Sequence, residues 1–154
     1  ISAQFDPTEG VSSTGSIKIS TLAAGSQLSF GNSGGSRSLL MQYGMDVLPS
    51  TSYTWTYYMK TNYVSGDATT GAAGALVIYD GTGGGLTTIN GTAVKTTTAW
   101  TKYTVNFTTG ATARWASFDN RIYGHQGAAT LIMDAYFDDV FLQQTTLPTR
   151  TLAT

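Results

Sequence analysis

An all-β chain folded as a two-sheet antiparallel β-sandwich, a jelly roll, is what three features of this sequence predict. Stretches of alternating apolar and polar residues recur along most of its length, and that period-two alternation marks strands with one buried face. Aromatic and β-branched residues fill the stretches, while Gly, Ser, Thr and Asp gather between them as turn material. No window sustains a helical period of about 3.6 residues, because Gly or Thr interrupts each candidate. About eight to ten strands result, at the roughly 8–12-residue spacing expected of a sandwich or barrel.

Residues 1–13 are polar, with Pro7 and Gly10, and read as an irregular lead-in along a sheet edge. Ile17 and Ile19 alternate with Ser16, Lys18 and Ser20 as a half-buried strand, and Leu28 with Phe30 forms a second. Residues 31–37 are a loop by composition. Leu39, Met41, Tyr43, Met45 and Val47 then face one way, with Leu40, Gln42, Gly44 and Asp46 facing the other. Tyr53, Trp55, Tyr57 and Met59 alternate with Thr54, Thr56, Tyr58 and Lys60, which places the first set in the core. Residues 67–74 and 80–85 read as loops on either side of a short apolar strand, Ala75 to Tyr79. Tyr103, Val105 and Phe107 mark the next strand, opened by Trp100 at the core edge. Trp115 to Tyr123 follows, and residues 124–127 turn the chain into its longest apolar run.

That closing run, Leu131 to Leu142, predicts a strand in the middle of a sheet. Unbroken alternation puts Ile132, Asp134, Tyr136, Asp138, Val140 and Leu142 on one face. Met133, Ala135, Phe137, Asp139 and Phe141 take the other. A carboxylate inside an apolar run is costly unless compensated. One of Asp138 and Asp139 therefore meets either a cation or a set of backbone N–H groups.

At 154 residues the chain makes one domain with room for a core. Residues 1–147 are assigned to it and residues 148–154 to a tail or linker. It begins at Ile1 rather than Met, as a mature or excised piece does, and no signal peptide is visible. Eight Lys and Arg stand against nine Asp and Glu. That balance gives no footprint for nucleic acid or an anionic membrane, and no apolar run is long enough for membrane insertion. With no Cys there are no disulfides, thiolate metal sites or Cys nucleophiles. Low Lys and Glu with high Thr, Ser and Gly suit an extracellular or virion β-protein.

Catalysis is poorly supplied, so the expectation is a protein that is not an enzyme. A glycosidase needs two carboxylates about one bond, yet Glu9 is the only Glu and lies in the lead-in. His125 is the only His and sits in a Gly-flanked turn, without the local settings of a Ser-His-Asp triad. The stronger signal is for binding. Trp115, Ser117, Asp119, Arg121 and Tyr123 share one face of their strand. Aromatic plates beside fixed donors and acceptors suit a sugar, whose C–H faces stack and whose hydroxyls hydrogen-bond. Arg121 donates through a rigid fork that Asp119 would orient. The plainer alternative is an exposed Asp119–Arg121 pair, with Trp115 and Tyr123 packed under a loop.

Four pieces, in order, resemble the β-jelly-roll carbohydrate-binding modules of the family 4/9/22 type. They are Ser16-Ile17-Lys18-Ile19-Ser20; Gln42 followed by Leu48-Pro49-Ser50-Thr51-Ser52-Tyr53-Thr54-Trp55; Trp100 to Thr108; and Tyr136 to Leu142. The resemblance implies a non-catalytic module that docks a larger extracellular or virion protein onto glycan or polysaccharide, with Gln42 and Tyr58 lining the same concave sheet as Trp115, Asp119, Arg121 and Tyr123. It also implies a structural Ca2+ between lead-in and closing strand. Asp139 is the first choice of ligand and Asp138 the second. Asp6 of the Phe5-Asp6 pair is their partner, and Glu9 a weaker one. The family usually has Glu where Asp6 stands, and the shorter side chain reaches less far. The alternative is a structural or adhesion domain of a phage tail, virion or surface layer that meets other subunits and binds no glycan.

Overall fold

The computed structural model describes residues 2–21, 28–31, 45–66, 71–82, 85–123 and 131–145. These hold β1 (Ser2–Asp6), β2 (Ser16–Ser20), β3 (Leu28–Gly31), β4 (Met45–Asp46), β5 (Ser52–Ser65), β6 (Gly71–Ala73), β7 (Ala75–Asp80), β8 (Gly85–Asn90), β9 (Thr98–Thr108), β10 (Ala113–Tyr123) and β11 (Ile132–Gln144). One sheet has the order β1-β2-β11-β5-β9. The second runs β3-β10-β7-β8, with β4 and β6 also paired to β10. All pairs are antiparallel, so the expected two-sheet sandwich is the fold.

Alternation along β5 builds the core. Tyr53, Trp55, Tyr57 and Met59 are buried, while Thr54, Thr56, Tyr58 and Lys60 are half-buried on the outer face. Trp55 stacks on Tyr57 at 4.7 Å, and Tyr57 on Tyr103 of β9 at 5.2 Å. Trp55 also meets Phe118 of the opposite sheet at 6.1 Å. Offset aromatic contacts of this kind add to simple burial. The rings leave no room at Gly74, between β6 and β7, where a Cβ would come within 2.7 Å of Tyr57 and 3.0 Å of Trp55. Glycine there allows the sheets to close on the two rings.

Three expectations change. The lead-in is strand in its first part: β1 pairs with β2 at the sheet edge, Phe5 opposite Ile17. β6 lies within one expected loop, and β8 begins at the end of another. Trp100 lies edge-on to Tyr136 at 6.4 Å on the outer face, not over the core. The loop of residues 32–37, the Leu39–Tyr43 part of its strand, the turn holding His125 and the tail at 148–154 lie outside the described residues.

The largest correction concerns β11. Its pairing with β5 shifts between Asp138 and Phe141: Asp138 faces Tyr58, whereas Phe141 faces Thr56 and Leu142 faces Trp55. Asp139 has φ of 46°, in the left-handed region. One extra residue is accommodated there as a β-bulge, and a bulge inverts which side chains face out. Met133, Ala135 and Phe137 enter the core as expected, but beyond the bulge Val140 and Leu142 pack on it. Phe141 turns outward and is 64% exposed. Urea unfolding should therefore separate two phenylalanines in one strand. Phe137→Ala should cost about 3–5 kcal/mol and Phe141→Ala about 0.5 kcal/mol or less; equal costs would contradict the bulge.

Candidate functional site

The outer face of β10 is assembled from cross-strand pairs. Trp115 faces Tyr79 of β7 and Asp46 of β4, and Ser117 faces Val77. Asp119 faces Gly31 of β3. Arg121 and Tyr123 continue the alternation opposite Ala73 and Gly71 of β6. The partners of the last three are thus small. Trp115 meets Tyr79 edge-on at 6.3 Å, with its indole Nε1 buried and without a hydrogen-bond partner. Asp119 is only 1% exposed and Ser117 is also buried. Ala116 and Ile122, on the opposite face, are core residues, as the alternation required. The outer face offers an aromatic wall, a hydroxyl and a carboxylate acceptor.

A second polar cluster joins the lead-in to the bulge. Asp138 accepts the backbone N–H of Val11 at 2.8 Å and that of Asp139 at 2.8 Å. The Ser12 hydroxyl donates to Asp139. The lead-in folds back on itself, Gly15 N–H donating to the Glu9 carbonyl at 3.0 Å. Gly15 has φ of 133°, and a Cβ there would come within 2.8 Å of the Phe5 ring. Glu9 takes Lys60 at 2.8 Å. Asp6 turns back onto Thr8, accepting its hydroxyl at 2.7 Å and its N–H at 2.9 Å, and these bonds hold its carboxyl below the ordinary value. Ser16, opposite Asp6 on the strand paired with β1, is buried with no partner for its Oγ. Asp138 thus has the backbone donors that sequence reasoning offered as the alternative to a cation. Among the described residues no three acidic or imidazole groups gather at one point.

On the outer face of the β11 sheet, buried Tyr136 lies against Lys18 and Lys60, whose Nζ atoms are 5.1 and 5.4 Å from its ring centre. Lys18 pairs with Asp134 at 3.0 Å. Burial depresses the Lys18 ammonium, but Asp134 and Tyr136 outweigh it and hold its pKa above the ordinary value. This cluster went unforeseen, although the alternation of Lys18, Lys60 and Tyr136 on neighbouring strands could have suggested it.

The predicted ligand residues therefore divide. Trp115 and Asp119 share a face, and Arg121 and Tyr123 follow them in register along β10; the side chains of those two lie outside the described residues, as does the whole of Gln42. Tyr58 does not join them. It sits on β5, on the outer face of the opposite sheet, facing Asp138 and Lys102. The separation follows from topology, since β5 pairs with β11 and β9 rather than with β10.

No protein-family model matches the sequence, and neither does any curated protein. Solved structures do. The enzymatically active domain of bacteriophage CBA120 tailspike protein 4 has a TM-score of 0.64 at 11% identity, over 93% of this chain and 18% of that one. The CBM22-1 and GH10 modules of Clostridium thermocellum endo-1,4-beta-D-xylanase 10B, complexed with xylohexaose, give 0.58 at 14%, over 94% of this chain and 25% of that one. A family 16 carbohydrate-binding module-2 gives 0.56 at 18%, over 92% and 85%. The chain thus spans less than a third of the tailspike and xylanase chains but most of the family 16 module. At these identities the likeness is one of fold, a two-sheet jelly roll.

The raised pKa of Lys18 has a consequence for stability. A charge held more tightly in the folded state stabilises fully below the unfolded value of 10.5 and is lost as pH rises through the folded value. The melting-temperature gap between wild type and Lys18→Met should be constant near neutrality and shrink above pH 10.5. A gap independent of pH would contradict this role.

Proposed function

We propose that the chain is a non-catalytic carbohydrate-binding module that holds a larger extracellular or virion protein on glycan or polysaccharide, through the outer face of β10. The observation that carries this reading is one line of side chains. Trp115 braced on Tyr79 is followed by buried Ser117 and Asp119, with small Gly31 of β3 opposite Asp119 and Ala73 of β6 opposite Arg121. An aromatic wall beside fixed polar groups is the chemistry a sugar ring needs. The similarity to modules described as carbohydrate-binding supports it.

A second reading, a structural domain whose β10 face meets another subunit, is favoured by the likeness to a tailspike chain of which this chain covers 18%. A glycan array on the domain separates the two. The binding reading predicts a ligand whose affinity drops by about 1–3 kcal/mol in Arg121→Ala or Asp119→Asn, with folding intact. No bound glycan, together with self-association lost in the same variants, would favour the second reading.

The same reading includes a structural Ca2+ at the bulge. Ca2+ takes six to eight oxygens, many from backbone carbonyls and hydroxyls. Asp139 and Asp138 already face the lead-in. The metal would replace the Val11 and Ser12 donors on these carboxylates. Asp6, turned onto Thr8, is the least suited of the three. Excess Ca2+ should raise the melting temperature relative to EDTA in wild type and not in Asp139→Ala. No shift in wild type, with no metal by elemental analysis, would rule the ion out.

A further inference from the structure

The bulge at Asp139 aims Phe141 outward, and the face it joins has no role in the reading above. Across β11, β5 and β9 the rows are Phe141–Thr56–Thr104 and Gln143–Thr54–Asn106, with Asp138–Tyr58–Lys102 on the other side. Phe141 is 64% exposed and Tyr58 half-buried. The two aromatics sit on adjacent strands one row apart, a diagonal of roughly 7–8 Å. The rows of Phe141 and Gln143 carry uncharged hydrogen-bonding groups, the Thr54 hydroxyl holding the Asn106 side chain at 2.8 Å, while Asp138 and Lys102 flank Tyr58.

We propose that Tyr58 and Phe141 form a second glycan-binding surface, on the side of the sandwich opposite the β10 face. The inference extends the carbohydrate-binding reading to a new site and rests on it. Three features favour a neutral sugar as the occupant. First, the bulge exposes a large aromatic that unbroken alternation would bury, and it does so with a non-glycine residue in the left-handed region. Such bulges re-aim side chains where function needs them. Second, the groups in the rows of Phe141 and Gln143 are hydroxyls and carboxamides, which match a polyhydroxyl ligand, and the charges beside Tyr58, Asp138 and Lys102, are one of each sign and select no ionic ligand. Third, a second copy of the chain is a poor fit. A stable dimer buries about 800 Å2 per partner around an apolar centre, whereas Phe141 is the only large apolar side chain exposed in these rows. With Phe141 open to solvent on a three-strand surface, the face suits the side of a polysaccharide chain rather than its end.

The test is affinity electrophoresis of wild type, Phe141→Ser, Tyr58→Ala, Asp119→Asn and the Phe141→Ser/Asp119→Asn double variant. The gels contain soluble xylan, mixed-linkage β-glucan or galactomannan, and sedimentation and melting temperature are followed in parallel. Phe141→Ser and Tyr58→Ala should each weaken retardation about threefold to tenfold on at least one polysaccharide, with melting unchanged for Phe141→Ser. The double variant should lose the retardation that Asp119→Asn retains. If Phe141→Ser and Tyr58→Ala match wild type while Asp119→Asn abolishes retardation, the second surface is overturned and the β10 reading stands. If instead Asp119→Asn matches wild type and Phe141→Ser abolishes retardation, this surface stands and the β10 assignment fails. No retardation of wild type in any of the gels overturns the surface and counts against the β10 reading too. Loss of a dimer in Phe141→Ser, with retardation unchanged, overturns the proposal in favour of contact between copies.

Discussion

Two backbone N–H groups closing on the Asp138 carboxylate hold the bulge on which the rest of this sandwich depends. One comes from Asp139, the bulged residue, and the other from Val11 in the lead-in. A left-handed backbone at a non-glycine residue costs about 1–2 kcal/mol, less at Asp than at most residues. Hydrogen bonds to a charged acceptor contribute about 1.5–3 kcal/mol each, so the pair offsets the strain. The outcome is a strand that buries Met133, Ala135 and Phe137 before the bulge and packs Val140 and Leu142 on the core after it. The same bonds fasten the lead-in over the sheet, with Ser12 on Asp139 and Glu9 on Lys60 as further ties. A local irregularity therefore sets the inward face of the central strand and the path of the N-terminal segment together.

Most of the fold was legible in sequence because burial alternates strictly in a half-buried strand. Tyr53, Trp55, Tyr57 and Met59 were placed in the core by parity alone. Parity fails where a residue is inserted, and nothing in Asp138-Asp139-Val140 announces that Asp139 has positive φ. Asp is tolerated there but does not require it. The reading did recognise that a carboxylate in this run needs a partner, and backbone N–H was one of its two answers. β8 was missed because Gly85 and two threonines mask a short strand whose pairing with β7 is decided by tertiary contact. Tyr58 was assigned to the wrong sheet for a different reason. Parity says whether a side chain points in or out, but not which sheet its strand has joined. That depends on β5 pairing with β11 and β9, a long-range choice that local pattern does not carry.

The sandwich thus has two outward faces of different character. On β10 the aromatic Trp115 lies edge-on to Tyr79, and Ser117 and Asp119 are buried along the same face. On β5, β9 and β11 the surface is rich in threonine and crossed by Phe141 and Tyr58. Elsewhere on that sheet's outer face, Tyr136 with Lys18 and Lys60 forms a closed cluster whose charges are met by Asp134 and Glu9. That cluster is structural in chemistry, since its cations are already paired.

The central claim, that glycan binds along β10, is tested most directly by amide and indole chemical shifts during titration with a bound glycan. The Trp115 indole N–H is buried without a hydrogen-bond partner, so a sugar oxygen arriving there should move its resonance strongly, along with the amides of Ser117 and Asp119. The Trp55 indole lies in the core, 0% exposed, and should stay in place. Saturable shifts at Trp115 with Trp55 unmoved are the predicted result. A glycan that binds and leaves Trp115, Ser117 and Asp119 unshifted would contradict the claim.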